Sequence, residues 1–86
     1  MAETKTLQTL DLYMASFLAF HGIEPSLETV NGKIAFVFSA DDSVYNLIDE
    51  YNEGAMVEAI RFALVMRYLE SQIESLRNKT GLWDWD

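Results

Sequence analysis

Asn31-Gly32 separates two runs of strand-forming residues, Ile23–Val30 and Lys33–Ser39, and this junction fixes more geometry than any other stretch of the chain. Asn-Gly is the preferred pair for a two-residue type I′ turn, because both central residues need positive φ and these two types tolerate it best. Such a turn sets the register of an antiparallel hairpin. With Val30 opposite Lys33, Thr29 faces Ile34, Leu27 faces Phe36 and Pro25 faces Phe38, all on one side of the ribbon. Val30, Lys33, Glu28, Ala35, Ser26 and Val37 fall on the other. One face is strongly apolar and one is mixed, the pattern of a half-buried sheet.

Helical patterns flank this hairpin. Residues 1–8 are polar and read as a frayed lead into the domain. Thr9 is a candidate N-cap with Asp11 in the first turn, and Leu10, Tyr13, Met14, Phe17, Leu18 and His21 recur at helical spacing. Leu12, Ala15, Ala19 and Phe20 widen the apolar arc beyond one face, so this helix is expected to be covered on more than one side. Gly22 and Pro25 stop it. A short second helix starts at Asp41-Asp42, carries Val44, Leu47, Ile48 and Tyr51 on one face, and ends at Asn52-Glu53-Gly54. The third runs from about Ala55 to about Lys79, with Gly81 as terminator. Its residues Phe62, Met66, Leu69, Ile73 and Leu76 form a heptad-like seam, while Ile60, Ala63, Leu64 and Arg67 lie along a separate line. At about 37 Å such a helix is long for a compact domain with a radius of gyration of about 12 Å, so it is expected to overhang or to meet a second copy. The pairs Glu58/Arg61 and Glu74/Arg77 sit at i, i+3.

The expected fold is therefore α+β, ordered helix, hairpin, short helix, long helix, with the helices on one face of the sheet. It forms one domain over residues 9–80, followed by a Trp/Asp-rich tail at 81–86. The tail holds Trp83 and Trp85. Either Leu82 and one tryptophan fold back to complete the core, or the tail is an acidic-aromatic anchor for a partner.

Composition narrows the functional classes. Fourteen acidic against 6 basic residues give a net charge of -8, which argues against direct nucleic-acid binding and fits a partner with a basic surface. Cysteine is absent and His21 is the single histidine, so no thiolate or multi-imidazole metal site is expected. Glu70/Glu74 and Asp49/Glu53 place carboxylates at i, i+4, without a loop of Ca²⁺-ligand spacing, and read as solvated faces. No phosphate-cradling glycine loop and no nucleophile beside a base is present. Catalytic residues, cofactors and metals are accordingly not expected. The amino terminus lacks a basic leading segment and a cleavage site, and no run approaches the ~20 apolar residues of a membrane span, so a cytoplasmic location is expected.

Association is the expected role. The first hairpin strand carries Glu24, Pro25 and Glu28, which blunt an edge, whereas Ile34–Phe38 has neither charge nor proline. The second strand is expected to gain a neighbour, either the same strand of a second copy or the chain's own 82–85 segment, with a homodimer favoured. Candidate contact residues are Ile34, Phe36 and Val37 on that strand, Asp49, Glu50 and Glu53 at the acidic end of the second helix, and Trp83 and Trp85. The reading is a non-enzymatic interaction or regulatory module. Its alternative is an inhibitor that uses an acidic surface to mimic nucleic acid and block a basic nucleic-acid-binding protein.

The segments Asp11-Leu12-Tyr13-Met14-Ala15-Ser16-Phe17-Leu18 and Ala35-Phe36-Val37-Phe38, followed by a short acidic helix reaching Tyr51 and Gly54, resemble a family of small bacterial and phage domains catalogued as domain of unknown function 5659. The resemblance spans about residues 9–70 and implies a prokaryotic or phage origin, but no activity or ligand. Its specific parts are Asp11-Leu12-Tyr13 and Phe36-Val37-Phe38, with Asp11 and Tyr13 as the family-defining positions. From the residues alone, Asp11 serves the helix start and Tyr13 packs with its hydroxyl at the rim.

Overall fold

A computed structural model describes residues 5–80 of the chain. The elements are β1 (Thr6–Thr9), α1 (Leu12–Phe20), β2 (Ser26–Val30), β3 (Lys33–Ser39), α2 (Asp42–Asn52) and α3 (Ala59–Thr80). The class is α+β as expected. The hairpin register is also as expected, with Val30 opposite Lys33, Thr29 opposite Ile34 and Leu27 opposite Phe36. Asn31 at φ 52° and Gly32 at φ 79° supply the two positive torsions that the turn requires.

The sheet has three strands, in the order β1-β3-β2. The expected neighbour of β3 exists, but it is neither a second copy nor the tail. Thr6–Thr9 fills the place, with Leu7 opposite Phe38 and Thr9 opposite Phe36. This corrects the reading of Thr6–Gln8 as part of a polar lead, the first four residues lying outside the described ones, and removes the open edge on which strand-to-strand dimerisation was argued. The physical reason is alternation: Leu7 and Thr9 lie on the apolar side and Thr6 and Gln8 on the outer side, so four residues with little intrinsic signal pair well beside β3.

The strand also moves the start of α1. Thr9 belongs to β1, and its hydroxyl accepts from the Asp11 N–H at 3.0 Å. Asp11 is the N-cap, its Oδ1 accepting from the backbone N–H groups of Tyr13 at 2.9 Å and Met14 at 3.2 Å. Ala15, Ser16, Phe17 and Leu18 are four consecutive buried residues, which occurs only when a helix is enclosed on several sides. At the other end His21 caps the helix. Its N–H donates to the carbonyls of Phe17 and Leu18, and its ring meets Phe17 edge-on at 4.6 Å between centroids, a structural role.

The core joins Phe36 and Phe38 of β3 to Ala15 and Leu18 of α1, Val44 of α2 and Leu69 of α3. Successive strand residues point to opposite faces, so Ala35 and Val37 lie on the outer side, and the helices share the face with the phenylalanines. Burying two phenylalanines there contributes about 2–3 kcal/mol each, a large part of the 5–15 kcal/mol by which such domains are stable. The seam foreseen for α3 is its core side: Leu69 is buried, and Phe62, Met66, Ile73 and Leu76 are half-buried. The helix begins at Ala59, four residues beyond the expected start, with the Phe62 N–H donating to the Glu58 carbonyl at 2.9 Å.

Among the described residues, one buried side-chain group is unsatisfied. The Ser16 hydroxyl is fully enclosed and has no hydrogen-bond partner among them. An unpaired buried hydroxyl costs about 1–3 kcal/mol. Ser16→Ala is expected to stabilise the fold by about 1 kcal/mol, raising the thermal midpoint by about 4–8 °C for a domain of this size. Thermal unfolding followed by circular dichroism checks this, and a lower midpoint would mean that the hydroxyl is bonded.

Candidate interaction surface

The residues expected to make contacts separate into three groups. Ile34, Phe36 and Val37 are buried within one chain, because β1 and β2 flank β3 on both sides. They are scaffold. Asp49, Glu50 and Glu53 are exposed at the end of α2 and have no ion-pair partner among the described residues. Trp83 and Trp85 lie outside the described residues.

A surface not among those candidates stands out on α3. Ile60, Leu64 and Tyr68 recur every fourth residue along it, which keeps them on one side of the helix. They are 73%, 55% and 51% exposed, and Met56, just ahead of the helix, is 95% exposed. On a helix of 100° per residue, this stripe is diametrically opposite the seam of Phe62, Met66, Leu69 and Ile73. The amino-terminal half of α3 is therefore apolar on both sides. Its carboxy-terminal half is not, since Ser71, Gln72, Ser75 and Asn78 carry the outer line onward. The sequence did show the line Ile60, Ala63, Leu64, Arg67; what it did not show is that the hairpin and α1 together occupy only the opposite side.

Charge around the stripe is light. Arg61 and Arg67 stand against Glu58 and Glu24 there, Glu24 lining a cleft with Leu64 and Tyr68, in a chain whose net charge is -8. Arg61 pairs with Glu58 at 3.6 Å, as the i, i+3 spacing suggested, and lies 5.6 Å from the centroid of the Phe20 ring. The matching pair Glu74/Arg77 does not form. The molecule is also extended: its radius of gyration is 13.6 Å, against about 12 Å for a compact chain of this length.

The clefts beside α3 are open, the one between Glu24–Leu27 and Tyr68–Lys79 measuring about 330 Å³. No group of three or more His, Asp or Glu among the described residues could hold a metal ion. No described helix is long and apolar enough to cross a membrane.

The family model of a domain of unknown function, DUF5659, matches residues 4–79. The chain belongs to the DUF5659 family. That match begins before β1 and ends within one residue of the end of α3, so it spans all six elements described above. No curated protein and no solved structure matches the chain. Asp11, one of the residues that carried the resemblance, is the α1 cap, whereas Tyr13 is 59% exposed and so packs less than expected.

The acidic α2 is held at its start by Asp41, whose Oδ1 accepts from the Val44 N–H and the Ser43 hydroxyl, each at 3.0 Å. The Val44 and Ser43 hydrogen bonds hold the Asp41 carboxyl below the ordinary aspartate value of 3.8. A depressed folded-state pKa stabilises the fold above the unfolded pKa, and the contribution is lost as pH falls through the lower folded value. Asp41→Asn keeps a capping oxygen without the charge, so its stability is expected to fall less steeply than wild type below pH ~4. Urea unfolding at a series of acid pH values measures the slope; equal slopes would mean that the carboxylate has no such role.

Proposed function

We infer that this DUF5659 chain is a non-enzymatic interaction module of the cytoplasm that works as a homodimer, and that the dimer forms through the outer face of α3. The observation carrying this reading is the exposed line Met56, Ile60, Leu64, Tyr68 on a half-helix that is apolar on both sides. Contiguous large apolar side chains left exposed along one helix face mark an association surface. Two copies related by a two-fold axis near Leu64 cover it. Antiparallel packing sets Leu64 against Leu64 and Ile60 against Tyr68, an isologous and self-complementary contact. Charge beside the stripe is balanced, Arg61 and Arg67 against Glu58 and against Glu24, which lines a cleft with Leu64 and Tyr68, so two copies of an acidic protein would meet there without opposing carboxylate clusters.

The second reading has its own observation. Asp49, Glu50 and Glu53 are exposed and have no ion-pair partner among the described residues, on a helix with no basic residue in its last turn, where negative charge is disfavoured by the dipole. An acidic mimic of nucleic acid would use such a surface. Salt separates the two readings. Apolar self-association of chains that repel each other strengthens as salt screens the repulsion, whereas binding of carboxylates to a basic protein weakens.

Leu64→Asp places a charge in the centre of the proposed interface and on the outside of the monomer. Sedimentation equilibrium is expected to show a dimer for the wild type and a monomer for the variant, with unchanged thermal stability of the monomer fold. Wild-type protein that sediments as a monomer at tens of micromolar would overturn the proposal.

A further inference from the structure

The sheet ends at β2, whose outer edge has no strand beside it among the described residues. The hydrogen-bond pattern identifies what that edge offers. Just past β3, the Ala40 N–H donates to the Lys5 carbonyl just ahead of β1, at 2.9 Å. Successive residues of a strand bond to opposite sides, so Phe36 and Phe38 bond to β1 while Lys33, Ala35 and Val37 bond to β2. Their partners on β2 are Val30, Glu28 and Ser26, which leaves the N–H and C=O groups of Leu27 and Thr29 turned to the open edge. A row of such groups is a template for one more strand.

The cleft of about 330 Å³ between this edge and α3 has Leu27, Leu69 and Leu76 as its apolar part, with Gln72 and Ser75 along the helix wall. Its ends carry opposite charge. Glu24 lies at the Tyr68 end, and Lys79 is three turns further along α3, about 16 Å away. Neither has an ion-pair partner among the described residues. We propose that this cleft binds a single extended polypeptide segment of another protein, which adds to β2 as a fourth strand with an acidic side chain at the Lys79 end and a basic one at the Glu24 end. About five extended residues span the same distance. Alternation turns the first, third and fifth toward α3, in the order charged, apolar, charged. β2 and α3 run in the same direction here, since Glu24 is level with Tyr68 and the turn at Gly32 with Arg77. Antiparallel pairing, the more stable kind, therefore sets the acid at the amino end of the segment. A second sheet at this edge would bring its own helices to the side that α3 already occupies, whereas a lone segment brings only side chains, so the occupant is not a second copy. Gln72–Lys79 lies beyond the Ile60–Tyr68 stripe, and strand addition does not depend on the dimer.

Backbone amide spectra of the full chain, titrated to millimolar with a capped peptide, test this. The peptide has valine at its centre, threonine on either side, glutamate at its amino end and lysine at its carboxy end. The amides of Leu27 and Thr29 are expected to shift and to exchange with solvent several-fold more slowly. Those of Ser26, Glu28 and Val30, already bonded to β3, keep their exchange rates, and shifts on α3 fall within Tyr68–Lys79. Lys79→Glu is expected to weaken binding several-fold, and to do so less when glutamine replaces the peptide's glutamate. Thr29→Pro, at an edge position whose N–H β3 does not use, is expected to abolish binding with far-ultraviolet circular dichroism unchanged. Three results would each overturn the proposal. They are a spectrum that millimolar peptide leaves unchanged, binding indifferent to both Lys79→Glu and Thr29→Pro, or protection of Leu27 and Thr29 that grows with protein concentration without peptide, which would seat a second copy there.

Discussion

One-sided burial of β3 is the constraint on which the structure depends. Phe36 and Phe38 point to the same face, and that face alone joins the main core. Everything apolar in the helices must reach it from one direction. Ala35 and Val37 on the opposite face are buried, and the β1 and β2 residues level with them on that face are Gln8, Ser26 and Glu28. Each short outer residue of the central strand has one long side chain level with it, Gln8 beside Val37 and Glu28 beside Ala35. The sheet thus holds its outer face without a second helical layer, at the expense of needing a strand on both sides.

Stacking three helices on a face three strands wide has consequences for each. α1, nearest the centre, is enclosed on several sides and even buries Ser16. α2 contributes Val44 and one apolar line, and turns its carboxylates to solvent. α3 is about 33 Å long by its 22 residues, and the sheet and α1 can use only one side of it. The stripe at Ile60, Leu64 and Tyr68 is what remains on the other side, and the interaction reading rests on it. The family relationship spans the elements that present this stripe and is silent about what the stripe meets.

Much of this was legible in the sequence for local reasons. Asn31-Gly32 determines the turn, the turn determines the register, and the register determines which face is apolar. Gly22 and Gly54, both at positive φ, mark the ends of α1 and α2 where the sequence placed them. What was not legible depended on distant partners. Thr6–Thr9 has strand character only because β3 lies beside it; alone, Thr-Leu-Gln-Thr offers a single large apolar residue. The strand in turn decides between two competent caps, Thr9 and Asp11, in favour of Asp11. The same omission misdirected the interface. With β1 unrecognised, β3 seemed to have an open edge, and Ile34, Phe36 and Val37 were read as contacts although they are core. The line Ile60, Ala63, Leu64, Arg67 was visible, but its exposure follows from how much of α3 the sheet can cover, a quantity periodicity does not contain.

The central claim is that self-association is located on the outer face of α3 and not on the sheet. Backbone amide chemical shifts recorded while the wild-type protein is diluted through its dissociation range test this most directly. The account predicts concentration-dependent shifts clustered at Met56–Tyr68, with Thr6–Thr9 and Lys33–Ser39 unmoved. Shifts clustered instead on the β1 edge, or spectra that do not change with concentration in a protein of monomeric mass, would contradict it.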